Sequence, residues 1–313
     1  MDKLFTAAKK AINDSLKVKK GERVLLVTDK PKMNIAEALA RFCKEAQAET
    51  TTYLMTETLR PISEPTKMFE EIIKIADVTM YMLDARVPEK PFRSFMVENG
   101  MKYGRICMMP GITVDMMSRL VNIDFGSMVD MTNKLVNKIN NAEHVRITNS
   151  LGTDLKLSVL GREWKKDIGD ISRKGEHGNL PTGECFTAPV EITVNGKIVI
   201  SLIDDKVGRG FVEFKQGKVV NFQGNGIKEV FKSIGEDETG RIIGEFGIGT
   251  NKGAKICKNM LEAEKAFGTC HFAIGDSYGL GKNKSKHHYD MLVDKVTIVA
   301  DDKTLMQNGK FLI

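Results

Sequence analysis

Histidines and carboxylates that could bind a metal lie close together in the second half of the sequence. Three of the five histidines fall between residues 271 and 288. His288 and Asp290 are two residues apart at the start of an apolar run that predicts a strand, so their side chains share one face. A surface histidine beside an aspartate is the commoner explanation of such a pair. Two ligands on one face of a strand are nevertheless what a metal centre needs.

Further candidates precede this pair along the chain. His271 begins a short predicted strand that runs into a glycine turn, where a buried core histidine is an equally good interpretation. Glu184 and Glu245 are each embedded among apolar residues, glycines and, for Glu184, prolines, a setting that a solvated glutamate does not require. Glu264 follows a predicted helix and precedes the His271 strand, and its alternative is a solvated charge at a helix end.

This inventory suits a pair of divalent ions such as zinc, cobalt or manganese, which commonly share a bridging carboxylate and a bridging water. The candidate metal ligands are Glu184, Glu245, Glu264, His271, His288 and Asp290. The HExxH signature is absent, which excludes a mononuclear zinc protease site on a helix. Tyr278 lies on the loop after the His271 strand and could donate a hydrogen bond to a developing oxyanion, or it could be a packed aromatic.

The first half predicts strands that alternate with helices, and therefore a parallel sheet with helices on its faces. We expect strands at 22–29, 50–55, 77–83 and 103–109, and helices after Asn34 and at 66–75 and 125–141. Asn34 with Glu37 predicts a capping box. The loop after the first strand contains no glycine, so it lacks the dinucleotide-binding fingerprint.

After about residue 145 the predicted strands become short and rich in turns. Hairpins are expected at 194–197 and 215–218, and one helix at 251–266. The 313 residues suffice for two domains. We therefore predict an α/β plus α+β fold, with a parallel-sheet domain at 1–145 followed by a mostly antiparallel, β-rich domain at 146–313 that carries the metal site.

The bulk composition narrows the functional classes. The net charge of +6 comes from lysines dispersed among acids, so no nucleic-acid partner is expected. No apolar run approaches the roughly 20 residues that span a bilayer, and the N-terminal stretch lacks the apolar core of a signal peptide. The five cysteines are scattered without a CxxC motif. They favour a reducing, cytoplasmic location.

Several segments together resemble the aminopeptidase T (thermophilic metallo-aminopeptidase) family, of which this chain would be a short form. The matching segments, in order, are PGIT (110–113), GTDL (152–155), NLPTGECFTAP (179–189), GEFGIGTN (244–251), HFAIGDSY (271–278) and the His-x-Asp at 288–290. The resemblance implies a two-domain cytosolic hydrolase that removes N-terminal residues from short peptides with water activated by two metal ions. It also implies a homodimer.

By the same resemblance, the ligands would be Glu184, Glu245, His271, His288 and Asp290, and Glu264 is the nearest counterpart of a further family glutamate. The family's tyrosine falls on Tyr278, which would stabilise the oxyanion. Glu245 would assist proton transfer.

Two rival functions stay open. Ring-cleaving dioxygenases of dihydroxypyridine type share this fold but use one iron, which His271, His288 and Asp290 could hold. Such an enzyme would not need Glu184 and Glu245, and both favour the peptidase. A non-catalytic binding protein would keep the fold and lose a ligand.

Overall fold

The computed structural model describes residues 2–203 and 206–313. The chain forms two compact units. One comprises the residues up to Phe125 together with Gly169–Thr182, and the other comprises Gly126–Ile168 and Gly183–Ile313. The sequence predicts a single boundary between residues 145 and 146. The structure divides the chain differently because residues 169–182 return to the first unit and supply a strand to its sheet.

The regular elements are as follows. The helices are α1 (Lys3–Lys10), α2 (Met33–Glu45), α3 (Lys67–Ile75), α4 (Lys90–Tyr103), α5 (Val114–Met116), α6 (Phe125–Ile139), α7 (Asn225–Ile234) and α8 (Met260–Ala263). The strands are β1 (Arg23–Thr28), β2 (Glu49–Leu54), β3 (Val78–Met82), β4 (Arg105–Met108), β5 (Val145–Thr148), β6 (Asp154–Leu157), β7 (Lys165–Asp167), β8 (His177–Asn179), β9 (Glu184–Thr187), β10 (Asn195–Ile203), β11 (Lys206–Lys215), β12 (Lys218–Gln223), β13 (Ile243–Gly249), β14 (Cys270–Gly275), β15 (His288–Val293), β16 (Thr297–Ala300), β17 (Lys303–Gln307) and β18 (Lys310–Phe311). No helix among the described residues is both long enough and apolar enough to cross a membrane.

The first unit is built on a five-stranded sheet in the order β2-β1-β3-β4-β8. All its pairings are parallel, which confirms the predicted α/β pattern. β3 is buried along its whole length, as expected for a parallel strand covered on both faces. The predicted cap at Asn34 is wrong. A 3₁₀ turn at Lys30–Lys32 runs directly into α2, which begins at Met33 without a side-chain cap.

The second unit is dominated by a thirteen-stranded sheet, and its pairings are antiparallel, which confirms the predicted β-rich half. The hairpin predicted at 215–218 joins β11 to β12, with Gln216 and Gly217 both at positive φ. The hairpin predicted at 194–197 is wrong, because these residues lead into β10. A Cβ on Gly196 would lie 2.2 Å from the Asp154 carbonyl oxygen, so this glycine permits close approach to β6 rather than a turn.

The helix predicted at 251–266 is also largely wrong. Only the four residues of α8 are α-helical in that stretch. The Asn251 side chain accepts a hydrogen bond of 2.8 Å from the Gly253 amide, and this local turn competes with helix formation.

Candidate metal centre

Five of the six candidate ligands lie on one face of four neighbouring antiparallel strands, β9, β13, β14 and β15, and Glu264 directly follows α8. Ala273 in the middle of β14 is paired with Glu245 on one side and with Asp290 on the other. Residues that are directly opposite in an antiparallel sheet project to the same face. His271 lies two residues before Ala273 in β14, and His288 lies two residues before Asp290 in β15, so both histidines project to this same face.

The opposite face of these strands belongs to the hydrophobic core of the second unit. Phe246 and Phe272 stack with ring centroids 5.2 Å apart, and Trp164 packs edge-on against Phe246 at 5.9 Å. All three residues are buried. Since side chains alternate along a strand, burying this aromatic face fixes which residues of β13 and β14 face the candidate site.

A glycine leaves the space that the imidazole of His271 occupies. Gly247 is paired with His271, and a Cβ on this glycine would lie 2.1 Å from both Cε1 and Nε2 of the imidazole. Gly275, the partner of His288, instead permits a close approach of the backbone, because a Cβ there would lie 2.2 Å from the His287 carbonyl oxygen. Of the glycines near Glu245 in the sequence, Gly247 is therefore the one that makes room for the histidine of the adjacent strand.

Glu245 lies between the two histidines. Its Oε1 is 3.1 Å from Nε2 of His271, and its Oε2 is 3.8 Å from Nε2 of His288. Glu184 Oε2 is 3.4 Å from His271 Nε2, and Asp290 Oδ1 is 3.4 Å from His288 Nε2. Glu245, His288 and Asp290 offer one ligand atom each within 4.8 Å of one another.

The orientation of His288 is set by a backbone contact. Its Nδ1 donates a hydrogen bond of 2.8 Å to the main-chain carbonyl of Asp276. A carbonyl only accepts, so the proton is on Nδ1 and Nε2 is directed towards the carboxylates. This arrangement, in which one ring nitrogen is tied back and the other presented, is typical of metal-binding histidines.

The site has the electrostatics of a cation-binding centre. Burial alone would lower the pKa of His271, but the hydrogen bond with Glu245 and the charges of Glu184 and Glu245 raise that pKa to about 9. For His288 burial again opposes the charge, and Asp290 and Glu245 raise its pKa to about 10. Imidazole nitrogens beside carboxylate oxygens in such a negative field fit a divalent ion of the zinc, cobalt or manganese type.

Glu184 and Glu264 meet at a residue that the sequence analysis did not identify, Lys265. Its side chain is fully buried, and its Nζ lies 2.8 Å from Glu184 Oε1 and in direct contact with Glu264 Oε1. Asp167, the cross-strand neighbour of Glu184, contributes an oxygen at 3.9 Å. Burial opposes the charge of Lys265, but these carboxylates raise its pKa, so the amine is an ammonium. The pKa of Glu264 is raised to about 8 by burial, against the effect of Lys265.

Tyr278 lies beside His288 on the loop after β14. The centroids of the two rings are 4.4 Å apart. Its backbone has φ of 49°, unusual for an aromatic residue, and the Tyr278 amide donates to Asp276 Oδ2 at 3.0 Å. Desolvation and the charges of Asp290 and Glu245 raise the pKa of its phenol. The residue as a whole is 62% exposed.

The structure thus places all seven candidate residues in one region of the second unit, and their roles stay predictions. Glu264 differs from the other candidate carboxylates because its Oε1 contacts the ammonium of Lys265 rather than an imidazole. The sequence reasoning missed Lys265, Asp167 and the Asp276 carbonyl. The only sequence signal for any of them was the lysine directly after Glu264, which lies with two glutamates among apolar residues.

An open cleft of about 600 Å³ borders Tyr278, with Asp276 and Lys284 among its lining residues. A larger cavity of about 910 Å³ is lined by residues around β5 and β6 and by none of the seven candidates. Of the two, the smaller cleft is the one that borders a candidate residue, and that residue is Tyr278 rather than a candidate metal ligand.

Imidazoles and carboxylates that converge on one sheet face define a candidate metalloenzyme. Residues 125–311 match the thermophilic metalloprotease family (M29), and this match covers more than half of the sequence. The chain belongs to that family, which confirms the family resemblance and makes the protein a metal-dependent hydrolase.

Solved structures show that the whole fold is shared. The chain is similar to 2,5-dihydroxypyridine dioxygenase from Pseudomonas putida, with 15% identity, a TM-score of 0.78, and coverage of 99% of this chain and 96% of that one. It is similar to AmpT from Thermus thermophilus, with 19% identity, a TM-score of 0.74, and coverage of 99% of both chains. No protein of curated function matches the chain significantly in sequence.

Proposed function

We propose that the protein is a metal-dependent aminopeptidase that hydrolyses N-terminal residues from short peptides. The observation that carries this proposal is the position of Glu245 between Nε2 of His271 and Nε2 of His288. A ferrous site of two histidines and one carboxylate has no need of a second carboxylate between its imidazoles. Membership of the metalloprotease family supports the same choice.

Glu245, His271, His288 and Asp290 would hold the metal. A divalent ion bound there would supply an activated water near neutral pH and polarise the scissile carbonyl. The resemblance to aminopeptidase T implies a pair of ions, with Glu184 and Glu264 completing the ligand set. Zinc, cobalt and manganese are the candidate ions.

The chain's own residues would do the remaining work. Glu245 is the carboxylate placed to assist proton transfer, since its two oxygens face different imidazoles. Tyr278 packs against His288 and would donate its phenolic proton in a hydrogen bond to the oxyanion of the tetrahedral intermediate. The peptide would enter through the cleft beside Tyr278.

A homodimer in the cytoplasm completes the proposal. Both expectations come from the sequence and from the resemblance to aminopeptidase T. Light scattering on the purified protein measures the first, and cell fractionation measures the second.

The test is a substrate comparison with metals restored. Purified protein equilibrated with zinc, cobalt or manganese is assayed on aminoacyl fluorogenic substrates and on the same substrates with an acetylated amino group. We expect cleavage of the free-amine series alone. Glu245→Gln should lower kcat/KM by roughly 100-fold or more, the scale of removing one group that stabilises the transition state. Glu163→Gln is the matched control, because Glu163 is exposed and its carboxylate pairs with the exposed Lys165.

Absence of bound metal, or full activity of Glu245→Gln, would contradict the proposal. Equal cleavage of the acetylated substrates would assign an endopeptidase instead.

A ring-cleaving dioxygenase is the second candidate, and the full-length similarity to the Pseudomonas putida enzyme favours it. His271, His288 and Asp290 could by themselves hold one ferrous ion. Oxygen uptake with 2,5-dihydroxypyridine and ferrous iron under reducing conditions would establish this activity, and we expect none. If neither reaction occurs with metals restored, the remaining candidate is a binding protein on the same fold.

A further inference from the structure

Lys265 is a fully buried lysine at the edge of the candidate metal centre. Burying an ammonium is costly unless it is paired and hydrogen-bonded. The Lys265 amide donates to the Glu262 carbonyl at 3.1 Å, and its own carbonyl accepts from the Asn251 amide at 2.9 Å. Both backbone polar groups of Lys265 are therefore hydrogen-bonded, which fixes the main chain from which the side chain extends, and the ammonium itself is held by its ionic partners.

Three carboxylates surround this ammonium. They come from Asp167 in β7, from Glu184 in the adjacent β9, and from Glu264, which precedes Lys265 directly. Carboxylates drawn from separate chain segments around one point are the arrangement that protein metal sites use. In this protein the cation that the three carboxyl groups surround is the ammonium of Lys265, which belongs to the chain itself.

The second group of donors lies next to the first. Glu245, His288 and Asp290 present ligand atoms within 4.8 Å of one another. Glu184 links the two groups, because its Oε1 contacts Lys265 and its Oε2 lies 3.4 Å from His271 Nε2. The centre thus has two adjacent cation positions, and the ammonium of Lys265 fills one of them.

We propose that Lys265 takes the place of a second divalent ion, so that the centre binds a single metal ion tightly, at Glu245, His271, His288 and Asp290. This inference rests on the proposed metal-dependent function and replaces the pair of ions predicted from the sequence by one ion and one ammonium. Two physical reasons support it. The ammonium already engages the oxygens that a second ion would need, and its positive charge repels a divalent ion brought close to it.

The test counts metal ions in Lys265→Met, which keeps the length of the side chain and removes its charge. Wild-type and variant proteins are equilibrated with zinc or manganese, separated from free ions and analysed by inductively coupled plasma mass spectrometry, with calorimetry for the affinities. We expect one ion per chain in the wild type and two in Lys265→Met. The affinity for the second ion should rise by at least roughly 100-fold when the repulsion is removed.

Lys32→Met is the matched control. Lys32 is also buried and paired with aspartates, but it belongs to the first unit. Replacing Lys32 should leave the number of bound metal ions at one per chain. Lys265→Arg keeps the charge and should also bind a single ion, which gives a readout if Lys265→Met fails to fold.

Two tight binding events in the wild type overturn the inference without any variant. A count that is unchanged or reduced in Lys265→Met also overturns it, and would make Lys265 a residue that orients Glu184 and Glu264 towards a metal pair. These outcomes are separate from failure of the proposed function. Two ions together with aminopeptidase activity refute the single-ion centre alone, whereas a wild type that binds no ion refutes both.

Discussion

Replacing Gly247 with alanine should remove metal binding while leaving the fold in place. The added methyl group would lie 2.1 Å from Cε1 and Nε2 of His271, and ordinary van der Waals contact begins near 3.4 Å. The imidazole would therefore have to retreat by about 1.3 Å. Metal–ligand distances tolerate only about 0.2 Å, so His271 would no longer complete the donor set.

The expected magnitudes follow from this displacement. Loss of an outer hydrogen bond to a ligand typically costs 10- to 100-fold in metal affinity, and displacing a ligand itself should cost roughly 100-fold or more. Inserting one methyl group into a packed site costs about 1–3 kcal/mol of stability, which an intact fold tolerates. Metal affinity should thus fall far more than the stability of the metal-free protein.

Calorimetric titration with zinc or manganese measures the affinity, and thermal unfolding of the metal-free protein measures the stability. Gly235→Ala is the control, because no atom lies within 4 Å of a Cβ there and the cost is backbone strain at φ of 62°. It should lose some stability and keep its metal affinity. Unchanged affinity in Gly247→Ala would refute the reasoning that His271 Nε2 is a ligand held in a glycine-shaped space.

Two further predictions concern the phenol beside the centre and an ion pair in the first unit. Tyr278→Phe should lower kcat by roughly 100-fold, the typical cost of losing one oxyanion donor, and leave the metal count unchanged; an unaltered kcat assigns the ring a packing role. Glu22 forms two hydrogen bonds of 2.8 Å with Arg105, and although burial opposes it, this contact lowers the pKa of Glu22 below its usual 4.5. A carboxyl group whose pKa is lower in the folded than in the unfolded chain stabilises the fold at pH values above its unfolded pKa. Glu22→Gln should therefore lower the free energy of unfolding by about 1.5–3 kcal/mol at pH 7. This difference in free energy from wild type should shrink as the pH falls below about 4.5. A difference in unfolding midpoint that is the same at pH 7 and pH 3.5 would contradict this.

Strand alternation is the part of the site that the sequence could predict. His288 and Asp290 were expected on one face of a strand, and His288 Nε2 lies 3.4 Å from Asp290 Oδ1. Alternation also explains the position of His271. The next residue, Phe272, is buried in the core, so the side chain of His271 projects from the opposite face of the strand. Period-two patterns survive folding because a sheet with one buried face permits only one register.

Contacts between segments distant in sequence were beyond prediction. Asn195-Gly196 has the composition of a type I′ turn, but Gly196 serves a close approach to β6 that only the sheet pairing reveals. The side chain of Asn195 accepts from the Gln216 amide at 3.0 Å and so supports the neighbouring hairpin instead. Lys265 was missed for the same reason, since its partner Asp167 is nearly a hundred positions away, and local spacing carries no information about such a pair.

The position of Lys265 also changes which glutamate distinguishes hydrolysis from oxygen chemistry. From the sequence, Glu184 and Glu245 carry equal weight against a mononuclear iron enzyme. In the structure Glu184 gives one oxygen to the buried ammonium, so its charge is largely balanced within the chain. Glu245 directs both oxygens at imidazoles. It therefore adds a second carboxylate, besides Asp290, at the metal position, and favours a Lewis-acidic ion over a two-histidine, one-carboxylate iron site. The kinetics of Glu245→Gln consequently discriminate between the two chemistries more sharply than any change at Glu184.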